Sequence, residues 1–503
     1  MDTNLKLAIR SVIHGFSNAP LRDSAISLFS QLGYRSDRTI NVESVHDFCS
    51  QFDPAGKLNH PGAMKSRWLS ADLLFQLTDE ELSRHTSLFK DTSVKASLLQ
   101  SYVFFAVELA PGDYTRGKLA GIARQINRVF PIPVMVLFKI DNRLSLAVIK
   151  RRPNKRDESK DVLDKVTLIQ DIAIDKPHPG HLDILGSFAT SELVARKKPI
   201  NSFDQLHAAW EDVFNVELLN KRFYEDISNW YFWARKQVSF PSDLDDKDAT
   251  RGKKSKEEAR NSTSVIRLLT RLIFCWFMKE KDLIPDHLFD QDAVAAALTS
   301  VGDDESTYYH AILQNLFFAT LNQPMTADGE ISRKFAVDAR FHENNSQHGV
   351  KTLYRYQKTF RLPDEALGLF ENIPFLNGGL FACLDTEDDA GKVQYADGFS
   401  RNAKKQPRVP NKLFFAPPEL VDLSEDFGNA KKKKAQVRGL LHILNGYKFT
   451  ITESTPVEQE IALDPELLGN VFENLLASYN PETGQNARRQ TGSFYTPRWL
   501  LFS

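Results

Sequence analysis

Two carboxylates early in the chain are placed to share a divalent cation. Glu108 ends the apolar run Tyr102–Leu109, and Asp72 lies in the strand-like segment Arg67–Leu77 that precedes it. Carboxylates on neighbouring strands can hold Mg2+ between them, and the metal then supplies a nucleophilic hydroxide for phosphodiester hydrolysis. Restriction-type nucleases add an ammonium two residues past the glutamate, a position occupied here by Ala110. Lys118, on the helix that follows, is a conceivable replacement. Three readings of Glu108 stay open: a structural strand end, an active nuclease and a degenerate one.

Other residues invite chemistry less specifically. Gly112-Asp-Tyr-Thr-Arg-Gly117-Lys118 has the spacing of a phosphate-binding loop between a strand and a helix, but Leu119 stands where magnesium needs a hydroxyl, which favours a chance match. On that helix, Arg124 and Arg128 lie one turn apart, opposite the apolar face Leu119, Ile122, Ala123, Ile126, Val129 and Phe130. They form either a phosphate-contacting ridge or a solvated face. His178, His181 and Asp183 are separated by Pro179 and Gly180, which suits a turn better than a metal scaffold. Trp230-Tyr-Phe-Trp233 could stack bases but reads better as core. Arg267 and Arg271, at i and i+4, read as a solvated helix face rather than a DNA contact.

The elements that position these residues follow from periodicity. Leu21–Leu32 has helical spacing closed by Gly33, and Thr78-Asp-Glu-Glu81 is a capping signal. Tyr102–Leu109, Thr115–Phe130, Val134–Ile140 and Leu144–Lys150 then read as strand, helix, strand, strand. Lys150–Lys160, with Pro153 and both signs of charge, reads as an exposed loop. Helices are expected at Phe203–Val213, Leu218–Ala234 and Ser264–Glu280, with a charged break at Ser242–Arg260; the stretch from Pro363 to Tyr447 is irregular, with Lys431–Lys434 as an exposed loop. The expectation is an α+β multidomain protein. Its parts are an α/β nuclease-like domain over 1–200, a helical connector over 201–345, a mixed region over 346–450 and a short C-terminal piece over 451–503.

Composition bounds the function classes. Lys+Arg 64 against Asp+Glu 65 gives a net charge of −1, so any grip on nucleic acid must come from a local basic surface. Three widely spaced cysteines, Cys49, Cys275 and Cys383, make neither a disulfide framework nor a zinc site. With no long apolar run and no signal-like N-terminus, a cytoplasmic protein without a membrane partner is expected.

The last fifty residues are more specific. Ala462–Ala477 reads as a Pro-initiated amphipathic helix capped by Asp464, and after a loop comes Thr491-Gly-Ser-Phe-Tyr-Thr-Pro-Arg498. This resembles the start of the methyltransferase domain in large type IIG-like restriction-modification adenine-specific DNA methylases. Phe375-Leu-Asn-Gly-Gly-Leu-Phe381, Trp230–Trp233, Val265–Lys281 and Val134–Arg152 look like the region preceding that domain. The resemblance implies S-adenosylmethionine as cofactor, with Gly492, Phe494, Tyr495, Thr496 and Pro497 at its pocket, and double-stranded DNA as partner. The family's glycine-rich cofactor turn and its Asn/Asp-Pro-Pro-Tyr/Phe loop are absent; Pro417-Pro418 follows Ala416. The expectation is a front portion, inactive in methyl transfer alone, or a DNA-binding or partner-docking half completed by a second polypeptide.

Overall fold

The computed structural model describes residues 3–82, 101–449, 458–460 and 463, apart from 43, 131, 155–156, 197–199, 201, 215, 242–252, 325, 328–329, 332, 337–350, 377–378 and 388–392. It is a mixed structure of helices and strands in two compact units: Met1–Lys221 with Asn445–Pro465, and a second unit whose described part is Arg222–Leu444.

The first unit is built on a mixed sheet. Its strands are β1 (Trp68–Thr78), β2 (Ser101–Leu109), β3 (Val134–Ile140), β4 (Arg143–Asn154) and β5 (Asp157–Ala173), in that spatial order, with the short strand Glu458–Glu460 at the β5 edge. β1 runs antiparallel to β2, and β2 parallel to β3; β3, β4 and β5 then form an antiparallel meander. A parallel neighbour requires a crossover, supplied here by a helix. The segment expected to be helical at Thr115–Phe130 is Arg116–Val129, with Thr115 as its N-cap.

In chain order the helices are α1 (Thr3–Gly15), α2 (Leu21–Gln31), α3 (Val45–Phe52), α4 (Asp79–Leu82), the crossover α5 (Arg116–Val129) and α6 (Pro179–Phe188). They are followed by α7 (Thr190–Arg196) and α8 (Phe203–Val213). Alternation along the strands sorts the core into two layers. One face carries Phe104, Ala106, Met135, Leu137, Leu144 and Leu146 against Ile9, Ile13, Leu28, Phe29, Leu182 and Trp210. The other carries Val103, Phe105, Val107, Val136 and Phe138 against Phe48, Leu119, Ile122 and Ile126. Gly33 takes φ +89 just past α2, a conformation that costs a residue with a Cβ.

Two expectations about boundaries are corrected. Lys150–Lys160 is not a loop throughout: β4 runs to Asn154 and β5 starts at Asp157. Charge and Pro153 mimic a loop there, but proline is tolerated where a ladder is irregular, and the β4–β5 register shifts between Pro153 and Asn154. The charged break before the long helix is also shorter, because that helix already starts at Lys253.

The second unit begins within α9 (Val216–Ala234) and centres on α10 (Lys253–Lys279). Trp230, Tyr231, Phe232 and Trp233 are all buried, as the core reading expected. A wide helix with i→i+5 bonding, Tyr308–Leu321, is almost wholly enclosed. Arg271 does not solvate its helix. It is buried against Phe317 and Phe318, pairs with Asp397 at 3.2 Å and donates to Leu380 O and Ala382 O, both at 2.9 Å. A buried guanidinium needs partners, and Leu380, Ala382 and Asp397 provide them. Asp385 completes this knot by accepting from the backbone N–H groups of Ala396, Asp397, Gly398 and Phe399 at 2.7–3.0 Å.

Candidate functional site

Register places the two carboxylates on one face. Asp72 lies opposite Ala106, and Ser70 opposite Glu108; residues directly paired share a face, and so do residues two apart. Since Ala106 belongs to the layer under α1, α2 and α6, so do Asp72 and Glu108, as diagonal neighbours. Diagonal neighbours on an antiparallel pair are about 7–8 Å apart, within reach of a shared ligand. The parallel β2–β3 ladder then sets Lys139 beside Glu108, and Lys139 Nζ lies 3.0 Å from Glu108 Oε1. The missing ammonium is thus on the neighbouring strand, at the level of the glutamate itself.

Lys118 does not fill that role. Its ammonium is exposed and donates to Asp113 O at 3.1 Å, while its own N–H is capped by Thr115 Oγ1. Sequence reasoning missed Lys139, although a signal was present: it is the one charged residue in the apolar strand Val134–Ile140, and it stands one residue before the strand's end.

Two further groups belong to this polar patch. Arg22, at the start of α2, donates to Ile40 O and Leu73 O at 3.0 Å each and comes within 3.8 Å of Asp72 Oδ1. Ser70 Oγ is buried without a hydrogen-bond partner among the described residues, opposite Glu108. A buried hydroxyl left unmatched is costly, and Ser70 is one of several such groups among the described residues. Burial pushes the Asp72 carboxyl up from its ordinary value; Arg22 opposes this and Asp23 adds to it. Glu108 is the more open group, its side chain 31% exposed against 12% for Asp72.

The donor set fits a hard cation. Mg2+ is commonly held by one or two carboxylates and completes its shell with water and substrate phosphate oxygens. Among the described residues no group of three or more His, Cys, Asp or Glu could hold a metal ion, so a site here relies on that two-carboxylate mode.

The remaining candidates separate from this patch. Gly112 has φ +149, and Arg67 packs close under it, donating to Pro111 O and to Tyr114 Oη. The glycine loop is therefore engaged with an arginine of its own chain. His178 caps α6 by accepting from Gly180 N at 3.0 Å, Asp183 pairs with Lys6 at 2.8 Å, and His181 is buried with its imidazole held well below its ordinary pKa by desolvation, then by His178 and Lys448. These are structural roles. Arg128, exposed, donates to Gln125 Oε1 at 3.1 Å, and Arg124 is half-buried on the same helix. α5 packs on the opposite face of the sheet from Asp72 and Glu108, so this arginine ridge does not join the carboxylates. Gly492, Phe494, Tyr495, Thr496 and Pro497 lie outside the described residues. No helix among those residues is long and apolar enough to cross a membrane. Set against protein-family models, curated proteins and solved structures, the chain matches none.

Proposed function

We propose that the first unit is a magnesium-dependent phosphodiesterase acting on double-stranded DNA. In this reading the chain is the N-terminal portion of a cytoplasmic, site-specific adenine DNA methyltransferase of restriction-modification type. The nuclease-like unit comes first, a mainly helical connector follows, and the Thr491–Arg498 segment opens the methyltransferase domain. One observation carries the nuclease reading: Lys139 stands 3.0 Å from Glu108 on the face that also bears Asp72.

Asp72 and Glu108 would hold the cation, which when bound supplies a polarised water and charge neutralisation at the scissile phosphate. Lys139 holds Glu108 in one orientation and places a positive charge where an entering phosphate would lie. Ser70 offers a hydroxyl to the same space. Arg22 keeps the more buried Asp72 on its strand through the carbonyls of Ile40 and Leu73.

The test is nicking of supercoiled plasmid. With Mg2+ or Mn2+ the protein is expected to convert it to open circles, and Glu108→Gln to abolish this while leaving the urea midpoint unchanged. Absence of cleavage with both metals, or cleavage indifferent to Glu108→Gln, overturns the reading. Methyl transfer from labelled S-adenosylmethionine to adenine is expected to be absent with this chain alone. Labelled adenine in the product would refute that part.

A further inference from the structure

The near-neutral chain must concentrate positive charge somewhere if it grips DNA, and the second unit carries a run of four lysines, Lys431–Lys434, on one turn. Strands Glu419–Val421 and Ala435–Val437 pair antiparallel, with Leu420 opposite Gln436. Between them come a short helical turn, Ser424–Phe427, then Gly428 in the left-handed region, then the tight turn Ala430–Lys434, which contains four lysines.

The turn is locked from several directions. Asn429 accepts from Lys431 N at 3.0 Å, and Leu423 N donates to Lys432 O at 3.0 Å. Lys432 is the anchor: its ammonium reaches Glu225 at 2.6 Å and Asn229 at 3.0 Å and lies over the ring of Phe427. Asp426, buried under the turn, takes Arg235 at 2.7 Å and Lys236 at 2.6 Å, and Arg438 takes Asp226 at 2.8 Å. These contacts engage the acids beneath the turn. Lys431, Lys433 and Lys434 are exposed, and no ion pair within 4.0 Å is found for them among the described residues. Glu419, Asp422 and Glu425, on the preceding arm, are the exposed acids of the same hairpin; the Asp422 carboxylate accepts from Ser424 N and Oγ, which with the charges of Lys433 and Lys236 hold its carboxyl below the ordinary value.

We propose that Lys431, Lys433 and Lys434 form a phosphate-backbone contact for duplex DNA, presented on a turn that Lys432 and Asp426 hold rigid. The assignment rests on the reading of duplex DNA as the partner and adds where the second unit touches it. Presenting the ammonium groups from an ordered turn lowers the ordering cost on binding, and contacts of this kind position DNA without reading its sequence. Each phosphate neutralised contributes about 0.9 to the slope of log K against log salt concentration.

The experiment measures binding of an unspecific duplex in EDTA, so that cleavage plays no part, across a salt series for wild type and for single, double and triple Lys→Gln variants at 431, 433 and 434. The slope is expected to flatten by about 0.9 per lysine removed, and the triple variant to bind about tenfold or more weakly at low salt. Lys281→Gln, an exposed charge elsewhere in the second unit, is the control and should leave the slope nearly unchanged. A triple variant that binds with the wild-type slope overturns the proposal, whether or not the first unit cleaves DNA. Failure of the wild type to bind duplex also overturns it. Lysine-dependent binding combined with nicking indifferent to Glu108→Gln supports the contact and refutes only the nuclease reading.

Discussion

Each unit has a cation set against a carboxylate at nearly the same distance: Lys139 and Glu108 at 3.0 Å in the first, Arg271 and Asp397 at 3.2 Å in the second. The second pair is sealed. Asp397 also accepts from Leu384 N, the guanidinium donates to two carbonyls, and the adjoining Asp385 is saturated by four backbone N–H groups. The first pair is left open. Glu108 is a third exposed, its neighbour across the ladder has a hydroxyl without a partner among the described residues, and a second carboxylate lies diagonally beside it. A saturated buried ion pair holds the fold, whereas an unsaturated pair at a strand end has coordination to offer. Distance alone does not separate the two; what the remaining lone pairs touch does.

Substitutions sharpen this contrast. The largest effect is expected at the sealed pair: Asp397→Ala strands Arg271 in the core and should lower stability by about 3–5 kcal/mol, read as a shift in urea unfolding. A loss below about 1 kcal/mol there would erase the distinction. Next comes Glu108→Gln, expected to cut metal-dependent nicking by at least about 100-fold, a change in barrier of roughly 2.7 kcal/mol, with little change in stability. Lys139→Met should reduce nicking by about tenfold and stability by about 1 kcal/mol or less, since its partner is partly exposed. Should Lys139→Met unfold the protein as readily as Asp397→Ala, the open pair is structural after all.

One pH-dependent effect is shared by the two units. Burial holds His181 in the first unit and His310 in the second below the ordinary imidazole value of 6.5. The unfolded chain therefore binds protons that the native chain refuses. Their contribution is fully present above about pH 6.5, declines as pH falls below it, and levels off below each folded-state pKa. Urea midpoints at about pH 7.5 and about pH 5 should differ in that direction, and His181→Leu should reduce the difference. An equal difference in that variant would assign the acid sensitivity elsewhere.

Strands β1 to β4 were legible because apolar runs such as Val134–Ile140 exceed what a loop tolerates, and α5 because its apolar face repeats with helical spacing; β5 was missed, its charged first half reading as a loop. Asp72 and Glu108 were legible as polar interruptions of such runs. Lys139 was not found, because its link to Glu108 is a parallel pairing across thirty-one positions, which spacing along one strand cannot express. Arg271 was misread for a related reason: its partners come from residues more than one hundred positions away, so its helix alone suggested solvent. The irregular stretch after Pro363 concealed Asp385 in the same way, since four backbone donors leave no side-chain pattern.

The parallel step from β2 to β3 has a consequence for anyone wishing to move this patch into another protein. A graft of β1 and β2 transfers both carboxylates and leaves the ammonium behind. Adding β3 without α5 leaves the crossover unmade and the pairing unset. Trp68–Ile140 is the smallest segment with both carboxylates and the ammonium, but it leaves Arg22 of α2 behind, so a host sheet must supply its own cation beside Asp72 as well as an antiparallel strand at the β3 edge.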